Sequence, residues 1–220
     1  MKKLIFLLLS ALGFSSIVFA ETLNLMVFGD SLSAGYKLGP KNSFANQLEK
    51  ALQKKGYPVQ IINYSFSGAT TADGVHRLKG ALTKEVDGVI LELGANDMLR
   101  HVDLDTTTKN LQKLIFAFKN AKVPVMLVGM KASPTHPVEY QQAFQQMYAD
   151  LALQNELLLY PFFMQGLWTD EGKHVSNSYF LEDKMHPSEK GVAVMVKHIL
   201  PAVEQFIAED IADVTIKEGH

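Results

Sequence analysis

Residues 23–36 have the sequence LNLMVFGDSLSAGY, and this stretch decides the fold of the chain. A near-continuous apolar run, Leu23–Phe28, leads directly into a turn rich in glycine and serine. An apolar run that is bounded by turn residues predicts a strand buried on both faces. The turn places Ser31 at the carboxyl end of that strand, where the backbone amides of a following helix can stabilise negative charge.

Four further β-rich runs follow, and amphipathic helical patterns separate them. The four runs are Val59–Tyr64, Val86–Leu93, Val123–Gly129 and Leu157–Pro161. This alternation predicts one α/β domain of three layers, in which helices cover both faces of a five-stranded parallel sheet. In such sheets ligands bind at the carboxyl ends of the strands. We expect Pro201 to bend or end the last helix.

The first twenty residues have the pattern of a secretory signal peptide. Lys2 and Lys3 precede an apolar run from Leu4 to Phe19, and we interpret Val18, Phe19 and Ala20 as the cleavage pattern. The run is shorter than the roughly 20 residues that a membrane span needs, although an uncleaved anchor and a buried helix are alternatives. We therefore predict a signal peptide over 1–20, a domain over 21–206 and a frayed charged tail over 207–220, in a periplasmic or secreted protein. No later segment is expected to be apolar enough to cross a bilayer, so no stable membrane anchor remains after cleavage.

The composition limits the chemistry that the chain can perform. Of its 220 residues 47 % are hydrophobic, which is typical of a globular protein with a sizeable core. The absence of cysteine excludes disulfides, thiolate zinc sites and a cysteine nucleophile. A formal net charge of −2 gives no reason to expect nucleic acid as a partner. We expect a monomer that acts on a small molecule.

Polar residues that can carry chemistry follow several of the predicted strands. Ser31 is a candidate nucleophile, and the amide of Asn96 could donate a hydrogen bond to a developing oxyanion. Gly68 would let its backbone N–H approach a ligand closely. Near the C-terminus, Asp183 and His186 are three residues apart, so one turn can place the carboxylate against the imidazole Nδ1–H and leave Nε2 for the serine.

Each of these residues also has a structural interpretation. A serine in such a turn is often a helix N-cap, and an asparagine after a strand often forms a cap or an Asx turn. An Asp–His pair in a loop is often a solvent-exposed pair on the surface that has no catalytic role. The nucleophile elbow of the α/β-hydrolases requires glycine two positions after the serine, and Ser33 stands there instead.

A metal site is a further alternative at the same sheet edge. Asp30, Asp97 and His186 together could supply oxygen and nitrogen ligands. We prefer the interpretation in which the two carboxylates brace loops, and we expect neither a metal nor a cofactor.

The four blocks GDSLSAGY, SGATT, GAND and DKMHP occur in this order, and together they resemble the SGNH, or GDSL, hydrolase family. The resemblance spans Leu23 to Val196 and is strongest to the bacterial periplasmic thioesterases, lysophospholipases and arylesterases. It implies a flavodoxin-like fold and metal-free hydrolysis of acyl esters or thioesters. It also implies a catalytic triad of Ser31, His186 and Asp183. The implied oxyanion hole consists of the Ser31 and Gly68 N–H groups and the Asn96 side chain.

The sequence departs from the family pattern in ways that bear on the substrate. Lys184 stands where a glycine commonly follows the aspartate, Ala95 replaces another glycine, and the stretch 168–180 fits the branch poorly. Four apolar residues are candidates for an acyl groove, with core packing or a lid as alternatives: Phe162, Phe163, Met164 and Trp168. The rival functions are an O-acetyl esterase of acetylated glycans and a non-catalytic binding protein for periplasmic lipids or glycans.

Overall fold

The computed structural model describes residues 22–169 and 172–212. The predicted signal peptide and most of the predicted tail lie outside the described residues, so both stay predictions.

Five parallel strands form one sheet, as the sequence predicts. Leu23 to Phe28 form the first strand as expected, and the other four are shorter at their ends than the apolar runs that predict them, because apolar character marks burial and not strand pairing. The strands are β1 (Leu23–Phe28), β2 (Val59–Asn63), β3 (Gly88–Leu91), β4 (Val125–Val128) and β5 (Leu159–Tyr160).

The strand order is β2-β1-β3-β4-β5, which is the doubly wound order of flavodoxin-like folds. Every neighbouring pair is parallel. The chain passes from β1 to β2 on one side and returns to place β3 on the other side of β1. This reversal opens a crevice at the carboxyl ends of β1 and β3, where ligands bind in such sheets.

Seven α-helices surround the sheet in the described residues, and two 3₁₀ turns lie in the loops (Pro40–Asn42 and Asn177–Tyr179). Helices α2 and α7 pack against each other, whereas α5 packs against both α3 and α6. These two sets are the outer layers of the predicted three-layer fold. The helices are α1 (Ser31–Ala34), α2 (Phe44–Lys54), α3 (Thr71–Ala81), α4 (Ala95–Leu99), α5 (Leu104–Asn120), α6 (Val138–Asn155) and α7 (Glu189–Phe206).

The amphipathic patterns of the sequence account for the core. Each long helix turns apolar residues three or four positions apart toward the sheet, because that spacing keeps them on one face. In α2 these residues are Phe44, Leu48 and Leu52, all fully buried, and α5 and α7 repeat the arrangement.

The C-terminal part of the chain departs from two expectations. Pro201 lies inside the last helix and does not end it, because it is on the exposed face while Ile199 and Val203 are buried in the core on either side of it. That Pro201 bends the helix stays a prediction. The packed chain also continues past residue 206 as a π-helical turn, Ile207–Ile211, whose two isoleucines are buried. The predicted boundary at 206 therefore falls inside the domain.

The expectation that no later segment is apolar enough to span a membrane is also wrong. Among the described residues, the helix Glu189–Ile211 has the length and mean hydropathy of a span. In the fold this apolar character serves the core, since Val192, Met195 and Phe206 are completely buried.

Candidate active site

Ser31 is the first residue of α1, at the carboxyl end of β1. The Asp30 side chain caps this helix by accepting a hydrogen bond from the Leu32 N–H at 2.9 Å. Gly35 ends the helix after one turn in a left-handed conformation, with φ of 81°. The short helix thus presents both the Oγ and the backbone N–H of Ser31 at the crevice that the sheet topology predicts.

His186 and Asp183 reach Ser31 from the loop before α7. The His186 Nε2 lies 2.9 Å from Ser31 Oγ, and the Nδ1 lies 2.9 Å from Asp183 Oδ2. The N–H groups of Met185 and His186 both donate to Asp183 Oδ1, which fixes the carboxylate within the turn. The three residues therefore form a continuous hydrogen-bonded chain, as expected for a nucleophile, its base and an orienting group.

The environment of Asp183 keeps it ionised. Partial burial by itself would raise its pKa, but hydrogen bonds from the His186 and Met185 N–H groups and from the imidazole outweigh that effect and lower the pKa of Asp183 to about 2. The turn that holds Asp183 requires a left-handed residue after it. Lys184 adopts this conformation itself, with φ of 57°, which explains why a glycine commonly occupies the position.

The three predicted oxyanion donors line the same cavity as Ser31 and His186. Among residues 22–169 and 172–212, no acceptor is hydrogen-bonded to the backbone N–H of Ser31 or of Gly68. The Asn96 Nδ2 donates one of its two protons to Asp30 Oδ2 at 2.9 Å, which leaves the second proton for a ligand. Gly68, which lines the cavity, has a positive φ of 80°.

Two side chains connect the Gly68 loop to the helix that bears Asn96. Asp97 accepts hydrogen bonds from the N–H and the Oγ of Thr71, at 2.8 and 2.6 Å. Arg100, at the end of α4, donates from Nη2 to the Gly68 carbonyl at 2.8 Å. These contacts set the position of one oxyanion donor relative to another.

Asp30 lies beneath the site and is almost completely buried. Burial raises the pKa of Asp30 to about 6, and the hydrogen bonds from the Leu32 N–H and Asn96 limit the rise. Asp30 therefore orients Asn96 and caps α1 at once, which is the bracing role that the sequence suggests.

The alternative metal site does not assemble. Both oxygens of Asp97 accept from Thr71, Asp30 pairs with Asn96, and both His186 nitrogens are engaged. Within the described part of the chain no group of three or more histidine or acidic side chains could hold a metal ion.

A cavity of about 870 Å³ opens beside Ser31. Phe162, Met164 and Trp168 line it as predicted, but Phe163 does not. Phe163 is buried in the core, where its ring packs edge-on against that of Phe44 with 4.7 Å between the ring centroids. The prediction of Phe163 as a groove residue is wrong.

Sequence reasoning missed much of the apolar lining. These residues come from four separate segments and have no shared periodicity: Tyr36, Met98, Leu99, Met130 and Met185. The Tyr36 ring also lies 4.4 Å from that of His186 and limits its movement.

Fold and site together define the chain as an ester hydrolase of the serine type. The chain belongs to the GDSL-like lipase/acylhydrolase family, whose model matches residues 27–194. It is 32 % identical over 188 residues to an arylesterase of Vibrio mimicus, covering 85 % of this chain and 87 % of the relative. It is 30 % identical over 165 residues to thioesterase 1/protease 1/lysophospholipase L1 of Escherichia coli K12, covering 74 % and 75 %.

A solved structure is similar over the same region. AlinE4, an esterase of the SGNH-hydrolase family, is 34 % identical and superposes with a TM-score of 0.69, covering 84 % of this chain and 96 % of its own. The family, the fold and the ester hydrolase activity expected from the four sequence blocks are thereby confirmed.

Proposed function

We propose that the protein hydrolyses acyl esters and thioesters through a covalent acyl-enzyme on Ser31. The observation that carries this proposal is the Ser31–His186–Asp183 chain, with both hydrogen bonds at 2.9 Å, at the mouth of a largely apolar cavity.

In the first step Ser31 Oγ forms a bond to the acyl carbon while His186 Nε2 takes the hydroxyl proton. The imidazole can accept it because its Nδ1 proton is donated to Asp183, which remains an anion. The carbonyl electrons move to oxygen, and the N–H groups of Ser31 and Gly68 with the Asn96 amide stabilise that charge. When the intermediate collapses, the bond to the leaving group breaks and His186 protonates the departing alcohol or thiol.

In the second step water replaces the leaving group. His186 removes a proton from water as the oxygen attacks the acyl-enzyme, and the same three donors stabilise the second oxyanion. Collapse releases the acid and returns the proton to Ser31. Two easier steps thus replace one difficult step.

The cavity favours acyl groups with several methylenes. Four methionines and the rings of Tyr36, Phe162 and Trp168 contribute to its wall; the methionines are Met98, Met130, Met164 and Met185. Flexible thioethers and aromatic rings adapt to alkyl chains, and each buried methylene contributes about 0.8 kcal/mol. The names of the relatives agree with esters, thioesters and lysophospholipids as substrates. We propose that this exported protein acts as a monomer on such molecules after its signal peptide is removed at Ala20.

The proposal is tested by labelling and turnover together. The purified chain is treated with a fluorophosphonate, the modified residue is located by mass spectrometry, and hydrolysis of aryl esters, acyl thioesters and acetylated sugars is measured. We expect Ser31 as the labelled residue and turnover of the first two classes. Preferential hydrolysis of acetylated sugars would favour the O-acetyl esterase instead, and labelling without turnover of any substrate would favour the binding protein.

A further inference from the structure

Glu92 is a buried acid that the mechanism above does not use. It follows β3 directly and is only 3 % exposed, in the middle of an otherwise apolar run from Val89 to Leu93. A carboxyl group in such a position is costly unless it has hydrogen bonds and a compensating role.

Both hydrogen bonds that the Glu92 side chain accepts among the described residues reach the turn that carries the nucleophile. Its Oε2 accepts a hydrogen bond from Ser33 Oγ at 2.6 Å and one from the Asp30 N–H at 3.3 Å. Gly29 permits this approach, because a Cβ there would lie 2.5 Å from Glu92 Oε2. Glu92 therefore holds the turn on both sides of Ser31, through Asp30 before it and Ser33 after it.

Only the two hydrogen bonds at Oε2 favour a negative charge on Glu92 in the described part of the chain, and no cation compensates that charge. Among the residues that the structure describes, no lysine or arginine forms an ion pair with it. The titratable groups that face it are Asp30 from the nucleophile turn and Tyr148 from α6, and Asp30 is itself an acid. Burial first, and then the proximity of Asp30, raise the pKa of Glu92 well above its usual value.

We propose that Glu92 is a positioning residue for the hydrolase: its carboxyl group fixes the Gly29–Ser33 turn, so that the Ser31 Oγ faces His186 and the Ser31 N–H faces the oxyanion. This inference rests on the proposed role of Ser31. The two buried acids hold different parts of the site, because Glu92 binds the Asp30 N–H and Ser33 Oγ while the Asp30 side chain caps α1 and binds Asn96.

Precise placement of the nucleophile matters for the rate. A displacement of about 1 Å at a reacting atom can cost about 10²-fold in rate. Because Glu92 contacts the turn and not the cavity, its loss should lower kcat and leave KM nearly unchanged.

The test compares Glu92→Gln, Glu92→Leu and Ser33→Ala, with Glu139→Gln, an exposed position on α6, as the matched control. Glutamine has the shape of the neutral acid, and its amide oxygen can accept both hydrogen bonds. Leucine can accept neither. Each variant is measured for thermal unfolding, for kcat and KM on one aryl ester, for the pH dependence of kcat/KM and for the rate of fluorophosphonate labelling.

We expect Glu92→Gln to keep kcat and the labelling rate within about threefold of the wild type. Its kcat/KM should fall on the acid side at the same pH as that of the wild type. Glu92→Leu should lower kcat and the labelling rate by about 10- to 100-fold, with KM within about twofold. Ser33→Ala, which loses one of the two hydrogen bonds, should fall between them, and it keeps the test decisive if the leucine variant does not fold.

Three results would overturn the inference. One is wild-type kcat in Glu92→Leu, and another is wild-type kcat in Ser33→Ala. The third is a Glu92→Gln variant that loses as much activity as Glu92→Leu, or one whose kcat/KM falls at a different pH on the acid side. Either result would mean that a charged carboxylate is needed. Failure of the wild type to label at Ser31 would instead contradict the proposed function itself.

Discussion

The His186 Nε2 lies 2.9 Å from Ser31 Oγ although the two residues are 155 positions apart in the chain. Ser31 follows the first strand of the sheet, and His186 lies in the loop before the last long helix. The Phe180–Pro187 bridge and the hydrogen bond from the Leu181 N–H to the His186 carbonyl, at 2.8 Å, hold that loop in place. The reacting pair therefore depends on how both ends of the domain pack.

Replacing Ser31 by alanine should abolish turnover and fluorophosphonate labelling without unfolding the protein, because among the described residues only the Ser31 hydroxyl is hydrogen-bonded to His186. Mass spectrometry and a thermal melt check this. Ser67→Ala is the matched control, since Ser67 lines the same cavity and, in the described part of the chain, has no hydrogen bond to His186. Labelling of another serine in the Ser31→Ala variant would contradict the assignment.

Replacing Asn96 by alanine should lower kcat by about 10²–10³-fold with little change in KM, which is the usual effect of losing one oxyanion donor. The loss also frees Asp30 Oδ2, so part of the effect could come from Asp30. A double-mutant cycle with Asp30→Ala separates the two causes, because any part of the loss that comes from Asp30 disappears in the Asp30→Ala background. An unchanged kcat in Asn96→Ala would remove this residue from the oxyanion hole.

Gly68 and Gly39 form a matched pair for testing the oxyanion loop. Both have a positive φ, of 80° and 75°. A Cβ at Gly68 would lie 3.4 Å from Arg100 Nη2, whereas one at Gly39 would meet nothing within 4 Å. Alanine should lower the free energy of unfolding by about 1–2 kcal/mol at either position, because left-handed backbone disfavours a Cβ. Only Gly68→Ala should also lower kcat, by about tenfold or more, and equal kcat values would contradict a role for this loop.

The raised pKa of Asp30 predicts how stability depends on pH. Between its usual value of 3.8 and about 6 the folded protein retains a proton that the unfolded chain has lost. The free energy of unfolding should therefore decrease as pH rises through this window. The Asp30→Asn variant has no group at position 30 that titrates in this window, so its free energy of unfolding should decrease less steeply with pH. Urea unfolding at several pH values measures the slope for the wild type and for the variant. Asp183 has a lowered pKa of about 2, so its contribution is lost at lower pH, between about 4 and 2. Identical slopes in the wild type and the Asp30→Asn variant would contradict the burial of an ionisable acid at position 30.

The cavity predicts a dependence on acyl chain length. Each methylene that enters it contributes up to about 0.8 kcal/mol, so kcat/KM should rise from acetyl to medium-chain esters and level off where the cavity ends. A series of aryl esters from two to sixteen carbons measures this. A maximum at acetate together with good activity on acetylated sugars would contradict the preference for longer acyl chains.

EDTA should have no effect on the hydrolysis of any of these esters. A loss of activity in EDTA that added divalent metal restores would contradict the metal-free mechanism.

Local patterns in the sequence determined the strands, the amphipathic helices and the positions of Ser31 and Asn96 shortly after two of the strands. Burial on two faces produces continuous apolar runs, and burial on one helical face produces a spacing of three or four residues, so both can be recognised without coordinates. Glu92 can be recognised from the sequence for the same reason, because an acid within a run that is buried on both faces is itself expected to be buried.

Only the tertiary structure decided which side chains share a surface. It placed Phe163 in the core beside Phe44 and brought Met98, Met130 and Met185 into one cavity from separate segments. It also extended the domain to Ile211, whose side chain packs against Gly88 on the central strand. These outcomes depend on contacts between residues far apart in the chain, and a periodic pattern records only that a residue is buried, not which partner buries it.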